Sequence, residues 1–210
     1  IDFLKNDPSL LVLTEHTANL VESSFIGMID TFLTTIEKRN LQELLQPDIL
    51  ISIGGMVVSK KIKEFLRKYP PKVHYYIDEH IGYDTFFVLT HHFRININTF
   101  LEIVAHNLPS ITSSYKKIWL SFYKGTLEKR TQYLENIPFS DMDAYRTIFE
   151  RIPTPYHIQI SNSAPIRYAQ LFNAKAGWQV YCNRGTSGID GSTSTAIGAS
   201  VVNNLPTLLI

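Results

Sequence analysis

Cysteine is almost absent from this chain. Cys182 stands alone among 210 residues, which excludes an internal disulfide framework and is the usage expected of a reducing cytoplasm. Excess charge is missing too: 20 Lys and Arg face 19 Asp and Glu, for a net charge of +1, so no basic footprint for nucleic acid stands out. Apolar runs are short, and none nears the roughly 18 residues of a membrane-crossing helix. No membrane insertion is therefore expected. Neither phosphate-binding fingerprint, G-x-G-x-x-G or G-x-x-x-x-G-K-[ST], occurs. Internal repeats, low-complexity tracts, an initiator methionine and a signal-peptide pattern are missing as well.

What is there is a globular composition, 44% hydrophobic and 19% charged, able to bury a sizeable core in one large domain or two small ones. The chain opens on Ile1 and closes on the apolar run Pro206-Thr-Leu-Leu-Ile210, so it reads as a piece of a longer protein. Leu10 to Thr14 predicts a short buried strand, and Phe25, Ile26, Ile29, Phe32, Leu33 and Ile36 predict an amphipathic helix over 24–38. Strands are expected at 48–53, 73–77 and 85–89, with Ser59 as the N-cap of a helix ending near Pro70-Pro71. Strands alternating with helices point to an α/β fold with a parallel sheet. After about residue 95 the character changes. Helices at 97–106 and 114–134 suit a solvated connector, and Ser140 to Asp143 resembles a capping box. Strand, helix, strand, helix and strand then follow at 156–161, 164–172, 179–182, 190–202 and 207–210.

Chemistry is expected at the carboxyl ends of parallel strands. Two polar loops fall there: Ser161-Asn162-Ser163 and Asn183-Arg184-Gly185-Thr186-Ser187-Gly188. If the preceding strands are neighbours, both loops line one crevice, with glycines admitting close backbone approach and hydroxyls adding donors. Arg167 and Arg184 could each grip a carboxylate or phosphate through a two-bond fork. A plain strand–helix turn with a solvated arginine stays equally open on spacing alone. Lys60-Lys61 opens a helix, where cations gain nothing from the dipole; this hints at a nearby anion, and a solvated pair stays open beside it. Glu15-His16 reads as surface more than cleft lining. Asp78-Glu79 and Asp84 read as loop caps. His91-His92 has no accompanying ligand set for a metal, and Ser163 has no His–Asp arrangement for nucleophilic catalysis.

The segment N-R-G-T-S-G-I-D-G at 183–191, followed by S-T-S-T-A-I-G, closely resembles thiamine-diphosphate enzymes of menaquinone biosynthesis, the 2-succinyl-5-enolpyruvyl-6-hydroxy-3-cyclohexene-1-carboxylate (SEPHCHC) synthases. I-S-N-S-A-P-I-R at 160–167 is similar to the family's N-S-x-x-x-R segment. L-V-L-T-E at 11–15, Q-P-D-I-L-I-S-I-G-G at 46–55 and V-S-K-K at 58–61 are similar to its central domain. The resemblance implies a Rossmann-like central domain over 1–105, truncated at its start, and a helical connector over 106–138. The N-terminal part of a diphosphate-binding domain would occupy 139–210. It implies thiamine diphosphate with Mg²⁺ or Mn²⁺ as cofactors, and decarboxylation of 2-oxoglutarate followed by addition of the succinyl carbanion to isochorismate. Asn162, Ser163, Ser187 and Ile189 would line the cofactor, with Ile189 the apolar wedge beneath it. Arg167, Arg184 and Lys60 would meet substrate carboxylates, as would Lys61, which stands where some members have arginine. The metal ligands would lie beyond Ile210 and the activating glutamate in another domain, so the 210 residues alone would be inactive. A cytoplasmic homodimer or homotetramer is the implied assembly. An acetolactate-synthase-like carboligase and a non-catalytic nucleotide- or anion-binding α/β module are the competing readings.

Overall fold

The computed structural model describes residues 2–109 and 111–210; Ile1, on which the chain opens, and Ser110, within the expected connector, lie outside the described residues. Among the described residues every strand pair is parallel, in three sheets. β1 (Val12–Leu13) pairs with β2 (Phe25–Ile26). β3 (Ile49–Ile53), β4 (Val73–Ile77) and β5 (His91–Phe93) lie side by side in that order, and β6 (Tyr156–Gln159) lies between β7 (Trp178–Tyr181) and β8 (Thr207–Leu209). Between them run α1 (Asp2–Asn6), α2 (Ile29–Lys38), α3 (Gln42–Leu45), α4 (Lys60–Lys68), α5 (Ile97–Asn107), α6 (Tyr115–Leu134), α7 (Asp141–Arg151), α8 (Ala164–Ala169) and α9 (Ser192–Val202). The α/β class read from the sequence is the class observed. Among the described residues no helix is long and apolar enough to cross a membrane.

Local signals held where the decisive contact is close in sequence. Ser59 Oγ accepts from the Ile62 N–H at 3.0 Å, and Ser140 Oγ from the Asp143 N–H at 3.4 Å, so both serines cap their helices. Three expectations are corrected. The helix expected over 24–38 starts only at Ile29, because Phe25 and Ile26 are drawn into a parallel pair with Val12 and Leu13. The strand expected at 85–89 is a turn: Asp84 Oδ1 accepts the N–H groups of Val88 and Leu89, both at 2.9 Å, while Phe87 takes a φ of 62°. With those amides satisfied locally no ladder forms, and the next strand begins at His91. The stretch at 114–134, expected to be a solvated connector, packs into the interior. Trp119 and Tyr123 of α6 are buried against Phe32 of α2 in edge-to-face contacts at 6.2 and 6.0 Å.

Two apolar clusters result. One gathers Ile26, Phe32, Ile36, Phe65 and Trp119; the other gathers Phe149, Ile158, Ile166, Trp178 and Val180. Val58, in the loop between β3 and α4, belongs to the second cluster although its neighbour Ile62 belongs to the first. That loop is thus wedged at the meeting of the two. The long α6 also carries a buried lysine. Lys116 Nζ donates to the carbonyls of Leu4, Lys5 and Asp7 at 2.7, 2.6 and 3.3 Å, pinning the carboxyl end of α1. Lys116→Met keeps the aliphatic stem and removes the three donors. It is expected to cost about 2 kcal/mol, the scale of a charged hydrogen-bond set, read as a lower denaturation midpoint at unchanged slope.

Candidate functional site

β6 and β7 are neighbours in register, with Gln159 opposite Tyr181, so their carboxyl ends deliver the two polar loops side by side. Asn162 joins them. Its Nδ2 donates to the carbonyls of Asn183 at 2.6 Å and Gly188 at 2.7 Å. Its Oδ1 accepts from Arg184 Nη1 at 2.8 Å and from Cys182 Sγ at 3.2 Å. Both amide hydrogens and both acceptor positions of this buried side chain are therefore used inside the protein. Asn162 shapes the crevice wall. Burial also pushes the Cys182 thiol up, which keeps it protonated.

The other residues expected at the cofactor are arrayed around this hub. Ser163 is exposed and holds a φ of 74°, and Ser187 holds 57°, both in the left-handed region that side chains other than glycine rarely adopt. Ser187 Oγ donates to the Arg184 carbonyl at 3.4 Å. Ile189 projects from the loop with 71% of its surface exposed, an apolar knob with no core to fill. Gly191 takes a φ of 79° at the start of α9, a conformation that costs glycine nothing. Arg184 Nε is buried without a partner.

Of the cations expected at the substrate, the structure brings two together and turns one away. Lys60 and Arg167 line a cavity of about 120 Å³ with Asp30, Val58, Ser59 and Gln170. Lys61 instead pairs with Glu37 of α2, Nζ to Oε2 at 2.7 Å. The anion that the lysine pair hinted at is part of the protein. Glu15 accepts from the Val58 N–H at 3.0 and 2.8 Å, one bond to each oxygen, and from the Ser59 N–H at 2.8 Å. Its carboxylate therefore occupies the amino end of α4 itself. Asp30 takes the Ser59 hydroxyl as a partner.

Glu15 and His16 are the clearest correction at the site. They were read as surface, yet His16 is buried and Glu15 reaches inward to the loop at 58–59. Burial pushes the Glu15 carboxyl up against the opposing pull of the Val58 and Ser59 amides, and Arg184 lies near enough to act on it. Burial holds His16 down at about 4, with its ring edge-on to Phe149 at 5.7 Å. Asn19, three residues on, completes the join: its Nδ2 donates to the Val180 carbonyl at 3.0 Å and its Oδ1 accepts from the Val180 N–H at 2.6 Å. One side-chain amide thus pairs like a strand residue with the free edge of β7. Lys63 was also missed. Burial lowers its ammonium, and Glu15, Arg167 and Arg184 all act on it, so it belongs to the same basic cluster. His92 sits in β5 with a ring nitrogen 2.8 Å from the Asp78 carbonyl. Asp78 Oδ1 caps its loop by accepting from the His80 and Ile81 amides. Among the described residues no three His, Cys, Asp or Glu side chains converge as a metal site.

The pieces add up to a bare, glycine-bearing loop with an apolar tip, and a recess lined by Lys60, Arg167 and Asp30. No family model matches the sequence. Along all 210 residues the chain is 47% identical to the 2-succinyl-5-enolpyruvyl-6-hydroxy-3-cyclohexene-1-carboxylate synthase of Flavobacterium psychrophilum, of which it covers 38%. It is 44% identical to the synthase of the same name from Christiangramia forsetii, covering 100% of this chain and 37% of the relative. That of Bacteroides fragilis is 34% identical over 188 residues, 88% of this chain and 33% of the relative. The chain spans a little over a third of the length of the curated relatives it matches.

Proposed function

We propose, from the premise that this chain belongs to the SEPHCHC synthase family over the segment it spans, that the full-length protein is a thiamine-diphosphate-dependent carboligase of menaquinone biosynthesis. It decarboxylates 2-oxoglutarate and joins the remaining four-carbon unit to isochorismate. The observation that carries this reading is the wall built by Asn162, which joins the two strand-end loops and so fixes the exposed Ile189 and the half-buried Arg184 on one of them.

The residues present fit the cofactor. An apolar side chain left 71% exposed on a loop of small residues suits an aromatic ring laid over it. The unpartnered Arg184 Nε is a buried donor in want of an acceptor. When bound, thiamine diphosphate supplies the electron sink for the carbanion equivalent left by decarboxylation. Everything else falls to the chain. Ile189 would support the cofactor's ring, and Ser163 and Ser187 would border it, while Asn162 holds their loops in place. Arg184, Arg167 and Lys60 meet the carboxylates of two dicarboxylic substrates, whose charge would otherwise oppose entry into one crevice. Lys61 helps through Glu37, by fixing α4 against α2. Mg²⁺ or Mn²⁺ would be held by parts of the full-length protein outside this segment, a cytoplasmic homodimer or homotetramer in this reading.

The direct test is to supply the full-length protein with 2-oxoglutarate, isochorismate, thiamine diphosphate and Mg²⁺ and to follow CO₂ release and product. No turnover would end the proposal, and preference for pyruvate would point to an acetolactate-synthase-like enzyme. The 210-residue segment by itself is expected to release no CO₂ in the same assay; turnover there would show that the rest of the protein contributes less than proposed. Arg184→Lys in the full-length enzyme keeps the charge and loses the planar fork. A fall of about 30-fold in kcat/KM is expected, roughly 2 kcal/mol. Unchanged kcat/KM for both substrates would remove Arg184 from the site.

A further inference from the structure

The carboxylate of Glu15 stands where two cation-bearing elements meet. It lies just past β1, and both of its oxygens turn to the loop that opens α4. Oε1 accepts from the Ser59 N–H at 2.8 Å and Oε2 from the Val58 N–H at 2.8 Å. Lys60, the first residue of α4, follows directly. The Gln170 carboxamide is a further partner of the same carboxylate. Gln170 caps the carboxyl end of α8, and Arg167 lies one turn before it on that element. One side chain thereby ties the backbone that presents Lys60 to the element that presents Arg167. Both cations, with Gln170, line the same cavity of about 120 Å³.

Packing alone does not fix that relation. Ile62 of α4 belongs to one apolar cluster, whereas Ile166 and Ala169 of α8 belong to the other, and apolar contact is non-directional. Hydrogen bonds are directional, and they hold the loop before α4 residue by residue. The Val57 carbonyl accepts from Lys63 Nζ at 3.1 Å, the Val58 and Ser59 amides go to Glu15, and the Ser59 hydroxyl pairs with Asp30. The ties to Lys63 and Asp30 stay with α4 and α2; the tie at Glu15 leads on to α8.

We infer that Glu15 is a positioning residue, whose carboxylate sets the spacing between Lys60 and Arg167 and so the fit of that pair to an anion. This rests on the carboligase reading for the identity of the anion, a dicarboxylic substrate, but not for the tie itself. Lys60 and Arg167 are exposed, so their placement depends on the backbone that carries them. A misplacement of about 1 Å at such a site can cost about 100-fold in rate. Reach is what Glu15 contributes, in the form of acceptors at the right distance. Its charge by itself would oppose the approach of an anion.

The test separates reach from charge, in the full-length protein with thiamine diphosphate and Mg²⁺ and with glutarate as the binding probe. Glu15→Gln keeps the reach and loses the charge. Its oxygen can take the Val58 and Ser59 amides while its NH₂ meets the Gln170 oxygen, once that carboxamide turns over. Glu15→Asp keeps the charge and withdraws it by one methylene. KM for one dicarboxylic substrate, and Kd for glutarate by calorimetry, should rise less than about 3-fold in the Gln variant and about 10-fold in the Asp variant. A kcat changed less than about 3-fold would give the split expected of lost uniform binding. Affinity for thiamine diphosphate should not move, which separates positioning from general damage to the fold. Gln170→Met cuts the tie from the α8 side and should raise the same KM. Combined with Glu15→Asp it should cost less than the two changes taken singly, because both break one link. The reverse order, Asp milder than Gln, would assign the effect to charge and overturn the inference. If wild type couples both substrates, yet neither Glu15→Asp nor Gln170→Met alters KM or Kd, the inference falls alone. If wild type couples nothing but binds glutarate in a Glu15-dependent way, the tie stands and the carboligase reading falls. Wild type that neither couples the substrates nor binds glutarate overturns both.

Discussion

Asn162→Leu in the full-length protein is expected to lower folding stability by about 3 kcal/mol and kcat/KM by about 100-fold or more. Leucine fills nearly the same space, so the loss is one of hydrogen bonds and not of volume. The carbonyls of Asn183 and Gly188 lose their shared donor, and the Arg184 guanidinium loses its acceptor. An orphaned buried polar group costs about 1–3 kcal/mol. Water can reach the exposed Gly188, which holds the total near the lower end of the sum. Activity suffers beyond stability because the same bonds set where Ile189 and Arg184 stand. Asn162→Asp keeps the acceptors but aims a carboxylate at two carbonyl oxygens, so it should not rescue. Denaturant titration together with steady-state kinetics decides the matter. A stability change under about 0.5 kcal/mol, the range of an ordinary surface substitution, would show that the loops hold themselves.

What could be read from the sequence follows the range of the interactions concerned. Ser59 and Ser140 were legible as caps because their partners lie three residues away. The crevice between the loops at 161–163 and 183–188 was legible on one condition, that β6 and β7 are neighbours, and parallel pairing of the two meets it. The turn at 84–89 was not legible as such. Thr85 to Leu89 has strand-like residues, and only the position of the Asp84 carboxylate, bonding to Val88 and Leu89 amides, withdraws them from a ladder. α6 was misread for a different reason. Its inward stripe is Lys116, Trp119, Tyr123 and Thr126, polar or amphipathic side chains that a hydrophobic pattern does not register although each finds a partner. Glu15 was the hardest. A carboxylate bonded across 43 and 44 residues leaves no local trace. Glu15 did carry one usable signal: it follows the first strand, and the carboxyl end of a parallel strand is where polar residues most often turn inward to a site.

Acid should weaken the fold through His16 by about 3 kcal/mol between pH 6.5 and pH 4. The ring is buried, its Nε2 has no partner, and burial holds it at about 4 instead of the ordinary 6.5. The native state therefore binds fewer protons than the unfolded chain across that window. Stability from this group is fully present above pH 6.5 and is lost as pH falls through about 4. Glu15, next in sequence, works the other way. Its carboxyl is pushed up by burial, so its contribution is present below the ordinary carboxylate range and is lost as pH rises through its own elevated value. Part of the His16 loss is thereby offset in acid. Phe149 packs on the ring without charge of its own. The two contributions separate by substitution. His16→Leu removes an unsatisfied buried polar group, and should be neutral or slightly stabilising at pH 7, with a flatter stability profile towards pH 4. Glu15→Gln should steepen the acid loss of the parent, because the opposing proton uptake is gone. Denaturation midpoints taken at half-unit steps from pH 7 to pH 4 give the slopes directly. An acid slope identical in parent and His16→Leu would mean that the imidazole is solvated and that the junction between the two apolar clusters opens at that point.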